Sequence, residues 1–243
     1  MPIKRPKFVN QEIYHIIIRG TGESLIFKDE SDYYRGIFSI YEFNTIKPIE
    51  IKKRRHERQK IKVNGEPFSD TRDLMVEILA FCFMPNHIHL LLRQLKDKGI
   101  SEFVKKVGVG YAGYFNKKYD RKGPLFSKFR AVHIKDDIQL KVVFAYIHVN
   151  PASLIEPGWK ENGIKDSKKV IGFLKKYKWS SYQDYSGKKN FPSVTERDFF
   201  LKTIGDEKNC REFVENWVEY KKGTKNYSDS VLVKLTENRS PSI

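Results

Sequence analysis

Two histidines one residue apart, His87 and His89, interrupt the apolar run "MPNHIHLLL". In an extended strand successive side chains alternate, so both imidazoles leave one face while Ile88 and Leu90 leave the other. Side-by-side imidazoles suit zinc, manganese and similar ions, and such a pair is normally completed by a third ligand, often an oxygen. Two half-buried histidines satisfied by hydrogen bonds would look the same, and spacing alone leaves both readings open. A second candidate lies in "FAYIHVNP": Tyr146, with Asn150 four residues on and therefore on the same helical face. A phenol ionises only near pH ~10, so tyrosine attacks poorly unless a cation polarises its target. A metal on the histidine pair could do this by withdrawing charge from a phosphate. A tyrosine packed in a core is the competing reading. His148, two residues from Tyr146, falls on a different face and is left out of the set.

The elements that must position these residues can be read in outline. "EIYHIIIRG" is a β-branched strand ended by a glycine turn, "GTGES"; no G-K-[ST] follows, so a tight turn is favoured over a phosphate loop. Residues 29–43 have helical spacing behind an acidic start, and "VNGEPFSD" with the preceding basic run reads as a loop or hairpin around Asn64-Gly65. "MVEILAFCFMPNHIHLLLRQ" gives two buried strands around a turn at Pro85-Asn86. A helix with Ser101 as its N-cap follows, then a short strand "RAVHIK", then a helix from the acidic "DDIQ" to just before Pro151. This order predicts an α+β fold: a ferredoxin-like split βαβ core with an antiparallel sheet, plus a C-terminal helical appendage. The boundaries expected are 1–160 for the core domain, 161–192 for a surface extension, 193–222 for a small helical region and 223–243 for a disordered tail.

Charge points to a polyanion. The chain of 243 residues has 46 basic and 30 acidic side chains, net +16. Residues 47–62 carry eight basic and two acidic side chains, and residues 104–135 nine and one, so two short segments hold +14 of the excess. A single basic run is as readily a solvated face. The second, however, interleaves Tyr111, Tyr114, Phe115 and Tyr119 with cations, a mixture suited to phosphate contacts and base stacking. Nucleic acid is therefore favoured over a membrane surface. Cys82 and Cys210 stand far apart and outside any C-x-x-C pair, against a thiolate zinc site or a disulfide scaffold. With no long uncharged apolar stretch and no apolar core in "MPIKRPKFVNQE", the expectation is a soluble cytoplasmic protein without a membrane partner.

Four motifs in order, "MPNHIHLLL", "KKVGVGYAGYFNKKYDRKGPLFSKFRAVHI", "YIHVNP" and "YKWSSYQDY", resemble the single-tyrosine HUH transposases, in particular the REP-associated tyrosine transposases, over roughly residues 8–187. The resemblance implies a metal-dependent endonuclease that cleaves and rejoins single-stranded DNA through a 5′-phosphotyrosine, at hairpin-forming repeats. It makes His87 and His89 the metal pair, Tyr146 the nucleophile, magnesium or manganese the cofactor, single-stranded or hairpin DNA the partner, and a homodimer the expected assembly. Related insertion-sequence transposases place a glutamine four residues after the tyrosine as third ligand; Asn150, one methylene shorter with the same amide oxygen, stands there. Lys117, Lys118, Arg121, Lys122, Lys128 and Arg130 are the candidate DNA contacts, while Tyr114 and Tyr119 are read as stacking or packing groups rather than rival nucleophiles. A non-catalytic, domesticated hairpin-binding protein is the alternative; a relaxase or rolling-circle initiator would share the chemistry but not these motifs.

Overall fold

The computed structural model describes residues 6–222 except 52, 55, 57, 58, 61–69 and 71. Strands β1 (Ile13–Arg19), β2 (Val76–Met84), β3 (His87–Gln94) and β4 (Arg130–Ile134) form an antiparallel sheet in the order β2-β3-β1-β4. Helices α1 (Glu30–Glu42) and α2 (Gly99–Lys118) make the two crossovers, and α3 (Asp137–Val149) follows β4. This is the ferredoxin-like order expected of the sequence. Three further helices, α4 (Ser167–Leu174), α5 (Asp198–Ile204) and α6 (Glu207–Tyr220), complete the α+β architecture, with single turns at Trp159–Asn162 and Tyr182–Tyr185.

Local chemistry explains most of the boundaries. The carboxylates of Asp29 and Asp136 accept from the amides of Asp32 and Gln139, capping α1 and α3. Helix α2 departs from expectation: it starts at Gly99, behind Lys98 in a left-handed conformation, rather than after Ser101. The cap comes from elsewhere in the fold. Gln94, at the end of β3, accepts from the Ile100 amide through its side chain, and a Cβ at position 99 would run into the Met75 carbonyl. The basic run also differs. Its described residues Ile51, Lys53, Arg54, His56, Gln59 and Lys60 are helical instead of loop or hairpin, with Arg54 paired to the buried Glu42. The Asn64-Gly65 turn and the 223–243 tail lie outside the described residues.

Strand register divides the sheet into two faces. Tyr14, Ile16 and Ile18 share one with Leu92, Leu90, Ile88, Phe81 and Phe83, all buried. Helix α1 packs there at Gly36, where a Cβ would overlap the Phe83 ring. The opposite face presents His15, Ile17 and Arg19 from β1, His87, His89 and Leu91 from β3, and Ala80, Cys82 and Met84 from β2. Here the small, fully buried Ala80 and Cys82 leave room for α3, whose Tyr146 ring meets those of His15 and His89.

The segment expected as a surface extension, residues 161–192, is part surface and part core. Tyr177, Trp179, Tyr182 and Tyr185 are buried, and the backbone around Ser180 bonds to the open edge of β2, the Phe83 amide donating to Trp179 O (2.8 Å) and the Ser181 amide to Phe81 O (3.0 Å). Polar composition hid this because two tyrosines eight residues apart bury their rings while their hydroxyls reach backbone carbonyls: Tyr177 donates to Phe83 O and Tyr185 to Leu79 O, each at 2.6 Å. The edge strand is thereby covered. Helix α3 is clamped from its far side by α5 and α6, with the Phe144 ring 4.3 Å from that of the fully buried Phe200.

Helices α1 and α2 are joined by charge. The Lys118 ammonium donates to Asp29 and Asp32 at 2.7 Å, and Tyr119 and Tyr114 donate to Asp32 at 2.8 and 3.1 Å. Burial would raise the Asp32 carboxyl, but these bonds and one from the Lys28 amide outweigh it and hold it below the ordinary carboxylate range. Two outcomes follow. Phe200→Ala should lower the free energy of unfolding by about 3–5 kcal/mol in urea denaturation, as for a fully buried ring leaving a cavity. Lys118→Met should cost about 2 kcal/mol at neutral pH, since it strands a buried carboxylate. The depressed Asp32 carboxyl stabilises the fold above its unfolded pKa and loses that contribution as acid protonates it. The gap between Lys118→Met and wild type should therefore narrow as the pH falls below about 4.

Candidate functional site

The face under α3 gathers the chemistry-bearing residues. His87 and His89 stand two apart on β3, and their Nε2 atoms converge to 3.0 Å. His87 is fixed from behind by the Asn86 side chain, whose Oδ1 accepts from Nδ1 at 2.6 Å and leaves the Nε2 lone pair directed into the site. His89 is fixed by His15 of β1, with Nδ1 2.9 Å from His15 Nε2 and the two rings stacked. The three imidazoles thus form a continuous hydrogen-bonded chain across two strands, ending at Asn86.

All three are buried. Burial pushes the imidazoles of His15 and His87 down to about 3, aided by the positive charge of Lys160 at both and of Arg19 at His87. His89 is held well below its usual range, first by burial and then by its two histidine neighbours. They are neutral at physiological pH, the form that ligates a metal. With metal–nitrogen bonds of about 2.1 Å at a right angle, two ligand nitrogens stand about 3.0 Å apart, the separation of the two Nε2 atoms. Among the described residues no group of three or more His, Cys, Asp or Glu is arranged to hold a metal, so a third ligand drawn from them would be of another type. Asn150 fits. It is fully buried at the C-terminal end of α3, and neither amide atom makes a hydrogen bond of ordinary geometry. A buried amide left unsatisfied is costly, and a cation between it and the histidines would engage its oxygen.

Tyr146 completes the group from α3. Its ring meets His89 edge-on at 5.7 Å and His15 at 6.1 Å, and its hydroxyl accepts from the Lys160 ammonium at 3.1 Å. All these residues belong to one chain. His148, on the other side of the helix, is 2.8 Å from Ser181 Oγ, and Ser181 Oγ in turn accepts from the Phe81 amide at 3.0 Å, so this histidine ties α3 to the edge of β2.

The candidate DNA contacts divide. Arg130 pairs in register with Ile17, so it leaves the sheet on the histidine face, where Arg19, opposite His87, also lies. Lys117, Lys122 and Lys128 are exposed. Lys118 is engaged by Asp29 and Asp32, and Arg121 donates to the Gly123 and Pro124 carbonyls of its own loop. Tyr114 and Tyr119 bond to Asp32 across from α2, away from the histidines. Three residues of the site escaped the reading of the sequence: His15, Arg19 and Lys160. The first two were accessible, because alternation along "YHIIIR" places them on one face with Ile17 between them. Lys160 gave no signal, since only the fold brings it to Tyr146.

Residues 66–150 match the family model of IS200-like transposases. Among solved structures, the chain is similar to a REP-associated tyrosine transposase bound to a REP hairpin, at 15% identity over 80% of this chain and 90% of that one, with a TM-score of 0.43. It is also similar to a candidate transposase from Deinococcus radiodurans R1, at 18% identity over 58% and 92%, with a TM-score of 0.32. A bacterial tRNA(His) guanylyltransferase-like protein in complex with ATP shares 12% identity over 74% and 77%, with a TM-score of 0.31. No curated protein matches significantly. The matched stretch contains β2, β3 with its histidine pair, and α3 with Tyr146 and Asn150, so over these residues the chain is similar to the IS200-like transposases.

Proposed function

We propose that this protein is a metal-dependent single-stranded DNA transposase and endonuclease that cleaves and rejoins hairpin-forming DNA through a 5′-phosphotyrosine on Tyr146. The observation that carries the reading is the meeting of Tyr146 with the converging His87–His89 pair and the unsatisfied Asn150 amide on one sheet face. His87, His89 and Asn150 would hold magnesium or manganese. When bound, such an ion supplies Lewis-acid polarisation of a phosphate oxygen.

The chain's own residues account for the remaining demands. Arg19 and Arg130 line the same sheet face and offer guanidinium donors to the phosphates flanking the scissile one. Lys117, Lys122 and Lys128 extend a basic surface for the backbone of the hairpin. Tyr146 Oη attacks phosphorus in line, giving its proton to solvent; the bond to the 3′ oxygen breaks and that oxygen takes up a proton. The phosphotyrosine keeps the phosphodiester's energy, so a second 3′-OH can displace the phenol and reseal a strand without a nucleotide cofactor. A homodimer would serve to bring two DNA ends together.

The decisive experiment incubates a labelled single-stranded hairpin oligonucleotide with Mg²⁺ or Mn²⁺ and resolves covalent protein–DNA adducts on a denaturing gel. Wild type should form adducts and Tyr146→Phe none, while salt-sensitive binding of the hairpin persists in both. An adduct with Tyr146→Phe would refute the nucleophile assignment; hairpin binding by wild type with no adduct at any metal concentration would establish a binding protein instead. In a separate measurement, Mn²⁺ titrated by calorimetry into His87→Ala/His89→Ala should release no binding heat, and Asn150→Ala should weaken Mn²⁺ roughly ten-fold or more.

A further inference from the structure

We infer that Lys160 is a catalytic residue, the cation that stabilises the Tyr146 phenolate as it forms in cleavage and as it departs in rejoining. The inference rests on the reading of Tyr146 as nucleophile. Lys160 lies beyond the matched residues 66–150, in the single turn Trp159–Asn162. Its ammonium donates to the Tyr146 hydroxyl at 3.1 Å and stands 5.1 Å from the centre of the same ring. Its charge also reaches His15, His87 and His89, so it belongs to the electrostatics of the site.

The placement is built. Gly158, at φ 83°, opens the turn in a conformation that side chains disfavour. Trp159 anchors it: its indole donates to Ser153 Oγ at 2.9 Å and its ring meets Trp217 of α6 edge-on at 5.8 Å, leaving the residue 4% exposed. With Trp159 fixed on both sides, Lys160 has only its own side chain to order.

The chemistry follows from where charge develops. In the ground state the ammonium bonds to a neutral phenol oxygen. On attack the phenol proton leaves, the oxygen gains negative charge, and the P–O bond forms as the bond to the 3′ oxygen breaks. A hydrogen bond from a cation to an anionic oxygen is roughly twice as strong as one to a neutral oxygen, so the contact strengthens on the way to the transition state. By microscopic reversibility the same ammonium assists departure of the phenolate when a 3′-OH resolves the phosphotyrosine. Lys160 loses no proton, and no further reactant is needed.

The test measures single-turnover adduct formation on the labelled hairpin with Mn²⁺, beside hairpin affinity, for wild type, Tyr146→Phe, Lys160→Met, Lys160→Arg and Lys160→Gln, the last serving if Lys160→Met does not fold. Lys160→Met should slow adduct formation about 100-fold, the loss typical of one preorganised donor, while hairpin affinity stays within about three-fold. Lys160→Arg should recover much of the rate. Replacing Tyr146 with a fluorinated tyrosine, whose phenol ionises more readily, should shrink the Lys160→Met penalty, which a structural role would leave unchanged. An adduct rate in Lys160→Met and Lys160→Gln equal to wild type would overturn the inference, and so would a loss confined to hairpin affinity. Adduct in Tyr146→Phe would instead bring down the nucleophile reading in its own arm of the experiment.

Discussion

The site depends on one geometric constraint, the antiparallel register of β1 against β3. Ile17 opposite His89 and Arg19 opposite His87 place His15, Arg19 and both β3 histidines on the same face. Side chains alternate with a period of two, so a slip of one residue would send all of β1's polar groups into the apolar layer under α1 and α2 and expose Tyr14, Ile16 and Ile18 on the other side. The register is held by apolar side chains that do no chemistry. Leu90 and Leu92 oppose Ile16 and Tyr14 in fully buried pairs.

That face combines features that are costly singly. Three buried imidazoles are tolerable because they are neutral and hydrogen-bonded in series, from His15 through His89 and His87 to Asn86. The series also has a tautomeric consequence. For both Nε2 lone pairs to face a cation, His89 must carry its proton on Nδ1 and donate it to His15, which must then carry its own on Nδ1, the atom that has no partner. The site is therefore poised between an internally bonded state and a ligating one, with the unsatisfied Asn150 amide favouring the second. Tyr146 and His89 are 6% and 1% exposed, so the face under α3 is closed to solvent. The ammonium of half-buried Lys160 lies over the phenol ring.

Much of this was legible beforehand, for a physical reason. Strand alternation and helix spacing are local rules, and they sufficed to order the core elements, to put His87 with His89, and to put Tyr146 with Asn150. What failed was set by contacts distant in sequence. The start of α2 was misread because Gln94, not Ser101, supplies the cap. The 161–192 segment read as surface because its aromatics are diluted by lysines and serines, and only pairing with the exposed edge of β2 makes them interior. Composition registers the charge of Lys118 and not its partners Asp29 and Asp32, some ninety residues earlier.

The helices after residue 160 acquire a role by the same logic. A side chain on a helix is only as well placed as the helix, and α3, which carries Tyr146, rests on a sheet face made shallow by Ala80 and Cys82. Its outer side would leave the Phe144 ring in water if α5 did not cover it with Phe200. Phe200 against Phe144 and the His148–Ser181 link to β2 close that side and fix the rotation of the helix about its axis. Trp217 of α6, through Trp159, holds the turn that brings Lys160 to the phenol. The C-terminal helices are thus the outer wall of the site: they hold the tyrosine helix on its own sheet and give the phenol oxygen a cation that the matched core alone does not contain.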